Sequence, residues 1–224
     1  AEIADVAHDH GARVLVDAAQ SAPHRPVDVT EMGADAVAMS GHKACGPSGT
    51  GALYLADDLI DDLQPFLVGG ETVTDTTYGT ATFADPPHRF EAGLQDVAGI
   101  AGFGAACEFL QDIGRDEIHA HERRLTERMH TGVRAIDGVR PIGATPPDAS
   151  GICNVAVEGM DAHEASLLLD RTADVAVRSG MHCLHAWYND REIGPTVRAS
   201  VYLYNTEADV DAFLDGLEQV VALG

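Results

Sequence analysis

The chain has 224 residues, and its 36 Asp and Glu residues outnumber its 14 Lys and Arg residues, which gives a formal charge of −22. So acidic a chain is not expected to bind nucleic acid or an anionic membrane surface, because both partners are recognised by basic patches. Its 45% hydrophobic and 22% charged residues indicate a folded globular protein, and the acidic excess predicts a halophilic protein of a very salty cytoplasm, where salt screens self-repulsion.

The predicted elements of the first part of the chain alternate between helix and strand. Residues 1–10 form a helical pattern that ends at Gly11, and short apolar strands follow at residues 13–17, 35–40 and 51–55. This alternation indicates an α/β fold with a mostly parallel sheet. The first helix has neither an N-cap nor an initiator Met, so we expect the C-terminal part of a longer chain.

Residues 57–95 are rich in Gly, Thr, Asp and Pro and show no periodicity, which predicts a functional loop region. Beyond them, the pattern predicts helices at residues 96–112, 116–136, 162–169 and 207–223, and strands at residues 151–157, 173–178 and 197–204. We expect a domain boundary near residue 112. No apolar run approaches the ~20 residues of a membrane span, and no signal peptide is recognisable, so the prediction is a cytoplasmic protein.

Lys43 is the only lysine in the chain, since the other 13 basic residues are arginines. It could be a leftover surface charge. It could also be an amine that arginine cannot replace, because a primary amine forms a Schiff base and a guanidinium does not. The residue alone leaves both interpretations open.

Polar residues follow the first two predicted strands. Asp17 ends the first strand, and Ser40, His42 and Lys43 lie at the end of the second, at the edge where open α/β sheets bind ligands. Asp17 could merely cap a turn, or it could hold the proton on the pyridine nitrogen of pyridoxal phosphate (PLP). An acid and a lysine on neighbouring strands can grip opposite sides of one small ring, while Ser40 and His42 donate hydrogen bonds to its phosphate.

Five segments carry a family resemblance, and they occur in order over nearly the whole chain. They are Val16-Asp17-Ala18-Ala19-Gln20, Ser40-Gly41-His42-Lys43 with Gly46-Pro47-Ser48-Gly49, Arg89-Phe90-Glu91-Ala92-Gly93, Arg178-Ser179-Gly180-Met181-His182-Cys183, and Arg198-Ala199-Ser200. The chain resembles the cysteine desulfurases of the class V aminotransferase superfamily, and within them it is most similar to the SufS/CsdA branch.

The resemblance implies the PLP-dependent transferase fold type I. Residues 1–112 would be the C-terminal part of the PLP-binding large domain, with its mostly parallel sheet, and residues 113–224 a complete small C-terminal α/β domain. It further implies a homodimer with active sites at the subunit interface.

The resemblance also implies the cofactor contacts. PLP would be bound to Lys43, with Asp17 at the pyridinium nitrogen and Gln20 at the phenolic oxygen. Ser40 and His42 would contact the phosphate.

The four cysteines show no paired spacing, so neither a disulfide framework nor a zinc knuckle is predicted. A buried structural thiol is the simple interpretation, and it suits Cys107, Cys153 and Cys45. Cys183 differs, because it lies in a polar stretch beside His182 and near arginines, and positive charge favours the reactive thiolate. A metal site formed by His182, Cys183 and His185 is a weaker alternative, since it lacks a fourth ligand.

The resemblance implies that Cys183 attacks the sulfur of the substrate L-cysteine and becomes a persulfide. A sulfur-acceptor protein would then take the sulfur from this persulfide. Arg198 would bind the substrate carboxylate with the two-pronged geometry of a guanidinium, and Arg178 would lie close by. The predicted function is conversion of L-cysteine to L-alanine for iron–sulfur cluster assembly. The alternatives are a selenocysteine lyase, a cystine lyase or another lyase of this superfamily, and a truncated, non-catalytic fragment.

The sequence departs from the family pattern in three places. Leu94 follows Glu91-Ala92-Gly93, where family members usually have a threonine that binds the phosphate of the other subunit. Leu184-His185-Ala186 follows the cysteine in place of the usual Ala-x-Pro. The phosphate loop and the histidine that stacks on the cofactor ring are expected upstream of Ala1.

Overall fold

The computed structural model describes residues 1–224 and divides into two compact units, Ala1–Arg115 and Asp116–Gly224. The expected boundary near residue 112 lies in the last turn of a helix, Val97–Ile113. None of the helices combines the length and the apolar character that a membrane-spanning helix needs.

The first unit contains five helices and five strands. In chain order they are α1 (Glu2–Asp9), β1 (Leu15–Asp17), α2 (Ser21–His24), α3 (Val29–Met32), β2 (Ala36–Ser40), β3 (Gly51–Leu55), α4 (Asp57–Asp62), β4 (Val73–Thr76), β5 (Ala81–Phe83) and α5 (Val97–Ile113). A small apolar cluster of Ala18, Ala34 and Val37 packs beneath the start of β2.

The main sheet of this unit has the strand order β1-β2-β3. β1 and β2 run parallel, with Asp17 opposite Ala38, whereas β2 and β3 run antiparallel, with Ser40 opposite Gly51. The expectation of a mostly parallel sheet is therefore wrong for these three strands, although the α/β class is confirmed. The physical reason is the short connection after Ser40, because a parallel crossover needs a dozen or more residues.

The segment predicted as a long loop contains the short helix α4 and the hairpin of β4 and β5. The side chains of Phe66, Tyr78 and Leu94 are almost fully exposed in it. Arg89 stabilises the segment by donating a hydrogen bond from Nη2 to the carbonyl oxygen of Ile60 and by lying over the ring of Phe90.

The second unit is an antiparallel sheet covered by helices. Its elements are α6 (Arg115–Ala135), β6 (Val139–Ile142), β7 (Ile152–Val157), α7 (Ala162–Ala173), β8 (Arg178–Gly180), α8 (His185–Asp190), β9 (Thr196–Ser200) and α9 (Glu207–Leu223). The sheet order is β6-β7-β9-β8, and all neighbouring strands are antiparallel.

The core of the second unit lies between this sheet and three helices. Five elements contribute apolar side chains that are almost fully buried: Leu125, Met129 and Val133 from α6, Cys153 and Val155 from β7, Ala165 and Leu169 from α7, Val197 and Ala199 from β9, and Phe213, Leu217 and Val220 from α9. This packing holds β9 in place, and β8 is held by its pairing with β9. Arg178 and Arg198 lie on these two strands.

Two predicted strands of this unit have different bounds in the structure. The strand expected at residues 173–178 is β8 at Arg178–Gly180, because α7 extends to Ala173 and ends where Asp174 adopts a left-handed conformation. The strand expected at residues 197–204 ends at Ser200, where its pairing with Ile152 stops. Apolar composition alone does not show where a ladder partner ends.

Candidate active site

The residues that follow β2 form a tight turn. Gly41, His42 and Lys43 make one turn of 3₁₀ helix, and the N–H groups of Ala44 and Gly46 both donate to the carbonyl oxygen of Gly41 at 2.9 Å. The N–H of Gly41 donates to the carbonyl oxygen of Thr50, also at 2.9 Å. The turn is thus tied to the start of β3.

Glycine is required at two positions of this turn by close packing. A Cβ at Gly41 would clash with Oγ1 of Thr50, and a Cβ at Gly46 would lie 2.9 Å from the carbonyl oxygen of Gly41 and 3.0 Å from the ring of Phe103. No side chain fits in either place without displacing backbone or a neighbour. The sequence around Lys43 therefore specifies one rigid turn rather than a mobile loop.

Asp17 and the turn lie at the same edge of the sheet, because β1 and β2 are parallel and Asp17 is opposite Ala38. Oδ1 of Asp17 accepts a hydrogen bond of 3.0 Å from the N–H of Ala19, which holds the carboxylate in a turn at the strand end. Gln20 follows at the N-cap of α2, where its side chain is exposed and makes no capping hydrogen bond. The structure thus brings Asp17, Gln20, Ser40, His42 and Lys43 to one edge of the first unit.

Lys43 has a half-buried side chain that takes part in no hydrogen bond or ion pair. The carboxylates of this unit that bind a cation are Asp35 and Asp58, which both contact Arg13 at 2.7 Å. The only amine side chain of the chain is therefore not committed to a structural ion pair, and both interpretations of Lys43 stay open.

In the second unit, the two arginines of the family segments lie on neighbouring strands. Arg178 on β8 lies opposite Arg198 on β9. Nη2 of Arg178 donates a hydrogen bond to Sγ of Cys183 at 3.5 Å. The pKa of Arg198 is lowered by burial and by the charge of Arg178, and its Nε is buried with no hydrogen-bond partner. An unpartnered guanidinium N–H of this kind suits an anionic ligand.

The four cysteines have distinct environments. Cys183 is exposed, so the interpretation of Cys183 as a buried structural thiol is wrong. Cys153 is buried in the core, and burial raises the pKa of its thiol to about 12, which keeps it protonated and inert. Cys45 and Cys107 are also exposed, contrary to the expectation that both are buried, because the turn and the helix face that carry them point away from the core.

The turn that carries Cys183 has an unusual backbone. His182 and Cys183 have φ values of 51° and 64°, and the N–H of Leu184 donates to the carbonyl oxygen of Met181 at 2.8 Å. Positive φ at both central residues of such a turn is typical of Asn-Gly rather than of residues like His and Cys. This strain lies in the turn that carries the exposed thiol of the second unit.

The structure forms no group of three or more His, Cys, Asp or Glu side chains with the arrangement of a metal site, so the metal alternative at His182, Cys183 and His185 has no geometric support. Nε2 of His182 is hydrogen-bonded instead to Oγ1 of Thr196 at 2.9 Å. Burial, followed by the charges of Arg198 and Arg178, lowers the pKa of His182 below its usual value.

Sequence reasoning missed Thr196 and Tyr188, which are both buried next to this turn. The Tyr188 hydroxyl lies 2.8 Å from Oγ1 of Thr196, and the two side chains are 1% and 0% exposed. Neither residue belongs to a segment that carries the family resemblance. A threonine just before the strand predicted at residues 197–204 gives no signal that its hydroxyl faces a histidine.

Comparison with known proteins places this geometry in a family. Residues 1–213 match the sequence model of the aminotransferase class-V family. The chain belongs to this family. It is 39% identical, over 97% of its length and 51% of the relative, to a cysteine desulfurase of Haloferax volcanii. The chain spans about half the length of the curated relatives that it matches.

Solved structures of the family share the fold. The apo cysteine desulfurase of Thermococcus onnurineus NA1 superposes with a TM-score of 0.94 at 35% identity, over 100% of this chain and 56% of that one. The cysteine desulfurase CsdA of Escherichia coli gives 0.91 at 32% identity, over 98% and 54%. A mutant of the cystine C–S lyase C-DES with glycine covalently linked to its PLP cofactor gives 0.80 at 26% identity, over 97% and 55%.

Proposed function

We propose that the protein is a PLP-dependent cysteine desulfurase of the SufS/CsdA branch, which converts L-cysteine to L-alanine and leaves the sulfur as a persulfide on Cys183. The observation that carries this proposal is the exposed Cys183, whose Sγ receives a hydrogen bond from Arg178. A class-V aminotransferase needs no such thiol for PLP chemistry alone. The relatives that match the chain over nearly its whole length support the same activity.

The residues of the first unit fit PLP. Lys43 is the only lysine of this chain, so it is the residue here that would form the Schiff base with the cofactor, and its amine takes part in no ion pair. The Asp17 carboxylate, held by the N–H of Ala19, would face the pyridine nitrogen, and Gln20 would contact the phenolic oxygen. Ser40 and His42, at the end of β2, would hold the phosphate. PLP supplies an electron sink for the bonds at the α-carbon of an amino acid.

The chain's own residues account for the remaining chemistry. Arg198 would bind the substrate carboxylate, which would satisfy its buried Nε, and would orient the substrate. The Cys183 thiolate would attack the substrate sulfur, so that an S–S bond forms as the C–S bond breaks and its electron pair remains with the carbon. The Lys43 amine would then deliver the proton that completes alanine. The products are L-alanine and one persulfide, with no external oxidant.

The assembly around this site is also a proposal. We propose a halophilic, cytoplasmic homodimer in which residues 1–112 form part of the PLP-binding large domain and residues 113–224 the small domain. The nearly complete exposure of Phe66, Tyr78 and Leu94 in the first unit supports a covering partner surface. A sulfur-acceptor protein would take the persulfide from Cys183 for iron–sulfur cluster assembly. Leu94 cannot donate a cross-subunit hydrogen bond to the phosphate through its side chain.

The cofactor is tested with the full-length protein that contains this chain. Borohydride reduction should fix the pyridoxyl group on Lys43, as peptide mapping would show, and adding L-cysteine should change the visible absorbance. Lys43→Arg should keep the charge but abolish covalent labelling and turnover, because a guanidinium forms no Schiff base. A pyridoxyl group on another residue, or on none, would disprove the role of Lys43.

The nucleophile is tested with two matched variants, because Cys183 and Cys107 are both exposed thiols. Cys183→Ser should retain the absorbance change with L-cysteine but form neither persulfide nor sulfide. Cys107→Ser should keep full activity. Equal losses in the two variants would contradict the assignment. A comparison of L-cysteine with selenocysteine in the same assay separates the desulfurase from a selenocysteine lyase.

A further inference from the structure

The turn at residues 181–184 needs support from its surroundings, because it places two residues with a Cβ in the left-handed region. His182 and Cys183 both have positive φ, whereas the preferred residues for such a turn are Asn and Gly. The turn is exposed at Cys183 and Leu184 and therefore gains little from burial there. Besides the backbone hydrogen bond of the turn itself, the half-buried side chain of His182 ties it to the rest of the unit.

The ring of His182 is anchored by a chain of buried hydroxyl groups. Nε2 of His182 is hydrogen-bonded to Oγ1 of Thr196 at 2.9 Å, and that oxygen is hydrogen-bonded to the Tyr188 hydroxyl at 2.8 Å. Thr196 and Tyr188 are almost completely buried. The rings of His182 and Tyr188 also meet edge to face, with centroids 6.2 Å apart. The anchor therefore joins the turn to both β9 and α8.

We propose that Thr196 and Tyr188 are positioning residues for Cys183. By holding the His182 ring, they keep the turn in its left-handed form and thereby keep Sγ of Cys183 beside the guanidinium of Arg178. The inference rests on the proposed function, because it assumes that Cys183 is the nucleophile. Neither hydroxyl contacts the thiol, so both act through the turn.

The charges around the turn agree with this arrangement. The charged and titratable side chains that face it are Arg178 on β8, Arg198 on β9 and Tyr188 on α8. A protonated His182 would add a third positive charge to the two arginines, and its lowered pKa reflects that cost together with burial. The hydrogen bond to Thr196 uses only one ring nitrogen of His182, so the anchor does not require a protonated ring.

The test measures the rate at which iodoacetamide alkylates Cys183 in the full-length protein, followed by mass spectrometry of its peptide. Thr196→Val replaces the hydroxyl with a methyl group and should lower the rate about tenfold at pH 7, because Sγ of Cys183 would lose the hydrogen bond that the charged guanidinium of Arg178 donates to it. Thr196→Ser keeps the hydroxyl and should restore the wild-type rate.

Three controls keep the test specific. The rate at Cys107, in the same samples, should not change. In an Arg178→Gln background, Thr196→Val should have no further effect, because the hydrogen bond it weakens is already gone. Tyr188→Phe should lower the alkylation rate of Cys183 at pH 7 by a smaller factor. It replaces Thr196→Val in the test if circular dichroism shows that Thr196→Val does not fold.

An unchanged rate at pH 7 would overturn the proposal, and so would an equal loss from Thr196→Val in the Arg178→Gln background, which indicates occlusion rather than lost positioning. Turnover gives a separate readout. Thr196→Val should slow persulfide formation about tenfold while leaving the absorbance change with L-cysteine intact. If the wild-type protein forms no persulfide, the proposed function fails, but the alkylation rates still decide whether Thr196 positions the thiol.

Discussion

Replacing Gly41 by Ala should strain the turn that carries Lys43. The new Cβ would clash with Oγ1 of Thr50 and would lie 3.2 Å from the carbonyl oxygen of Thr50 and 3.3 Å from the ring of Phe103. Thr50 can relieve the clash only by turning Oγ1 away from the carbonyl oxygen of Pro47, to which it donates at 2.8 Å. The variant therefore combines overpacking with a lost hydrogen bond.

The two contributions set the size of the effect. A lost hydrogen bond costs about 1 kcal/mol, and overpacking of a tight site costs about 1–3 kcal/mol. Gly41→Ala should therefore lower the free energy of unfolding by about 2–4 kcal/mol. In a protein about twice as long as this chain, as its relatives are, each kcal/mol lowers the midpoint of thermal unfolding by about 1 °C, so the midpoint should fall by about 2–4 °C. Pyridoxyl labelling of Lys43 should fall in the same samples.

The assay is thermal unfolding of the full-length protein, followed by circular dichroism in high salt. Gly79→Ala is the matched control, because a Cβ at Gly79 would meet nothing within 4 Å. Thr50→Ala alone should cost about 1 kcal/mol. In the double variant the clash is absent, so the loss should be at least about 1 kcal/mol smaller than the sum of the single losses. Additive losses, or equal effects of Gly41→Ala and Gly79→Ala, would refute the reasoning.

Three further predictions concern the rest of the chain. Because burial raises the pKa of Cys153 to about 12, iodoacetamide at pH 8 should label Cys183 but not Cys153 in the folded protein, and both after unfolding; rapid labelling of folded Cys153 would contradict its burial. Leu169→Ala should destabilise the second unit by about 2–5 kcal/mol, whereas Leu167→Ala, at a site 42% exposed, should cost clearly less in the same unfolding assay. Hydrogen bonds, first from His8 and then from the N–H of Val14 and from Arg13, lower the pKa of Asp35. The ionised Asp35 therefore stabilises the fold above about pH 4, and this stabilisation is lost as the pH falls below that value. The free energy of unfolding, measured from pH 5 to pH 2.5, should depend less on pH in Asp35→Asn than in the wild type.

Much of the fold could be predicted because its signals are local. The periodic helices α5, α6 and α9 lie within a residue or two of their predicted bounds, and β3 coincides with residues 51–55. The common location of Asp17, Ser40, His42 and Lys43 also follows from the local pattern. Residues at the carboxyl ends of neighbouring parallel strands must lie at one edge of the sheet. The expectation of a mostly parallel sheet is wrong for β3, although the short connection before it already favours an antiparallel partner.

The sequence by itself determined the class of the fold, the isolated amine of Lys43 and the candidate thiol of Cys183, because periodicity, composition and residue order need no partner to be recognised. Only the tertiary structure decided which cysteines are exposed, where β8 begins, and how the turn at Cys183 is held. Those features depend on contacts between residues that are distant along the chain, such as Arg178 opposite Arg198 and the hydroxyl of Thr196 against the ring of His182. An ordinary threonine acquires a role there only because β9 places its hydroxyl in a buried site whose polar atoms need partners.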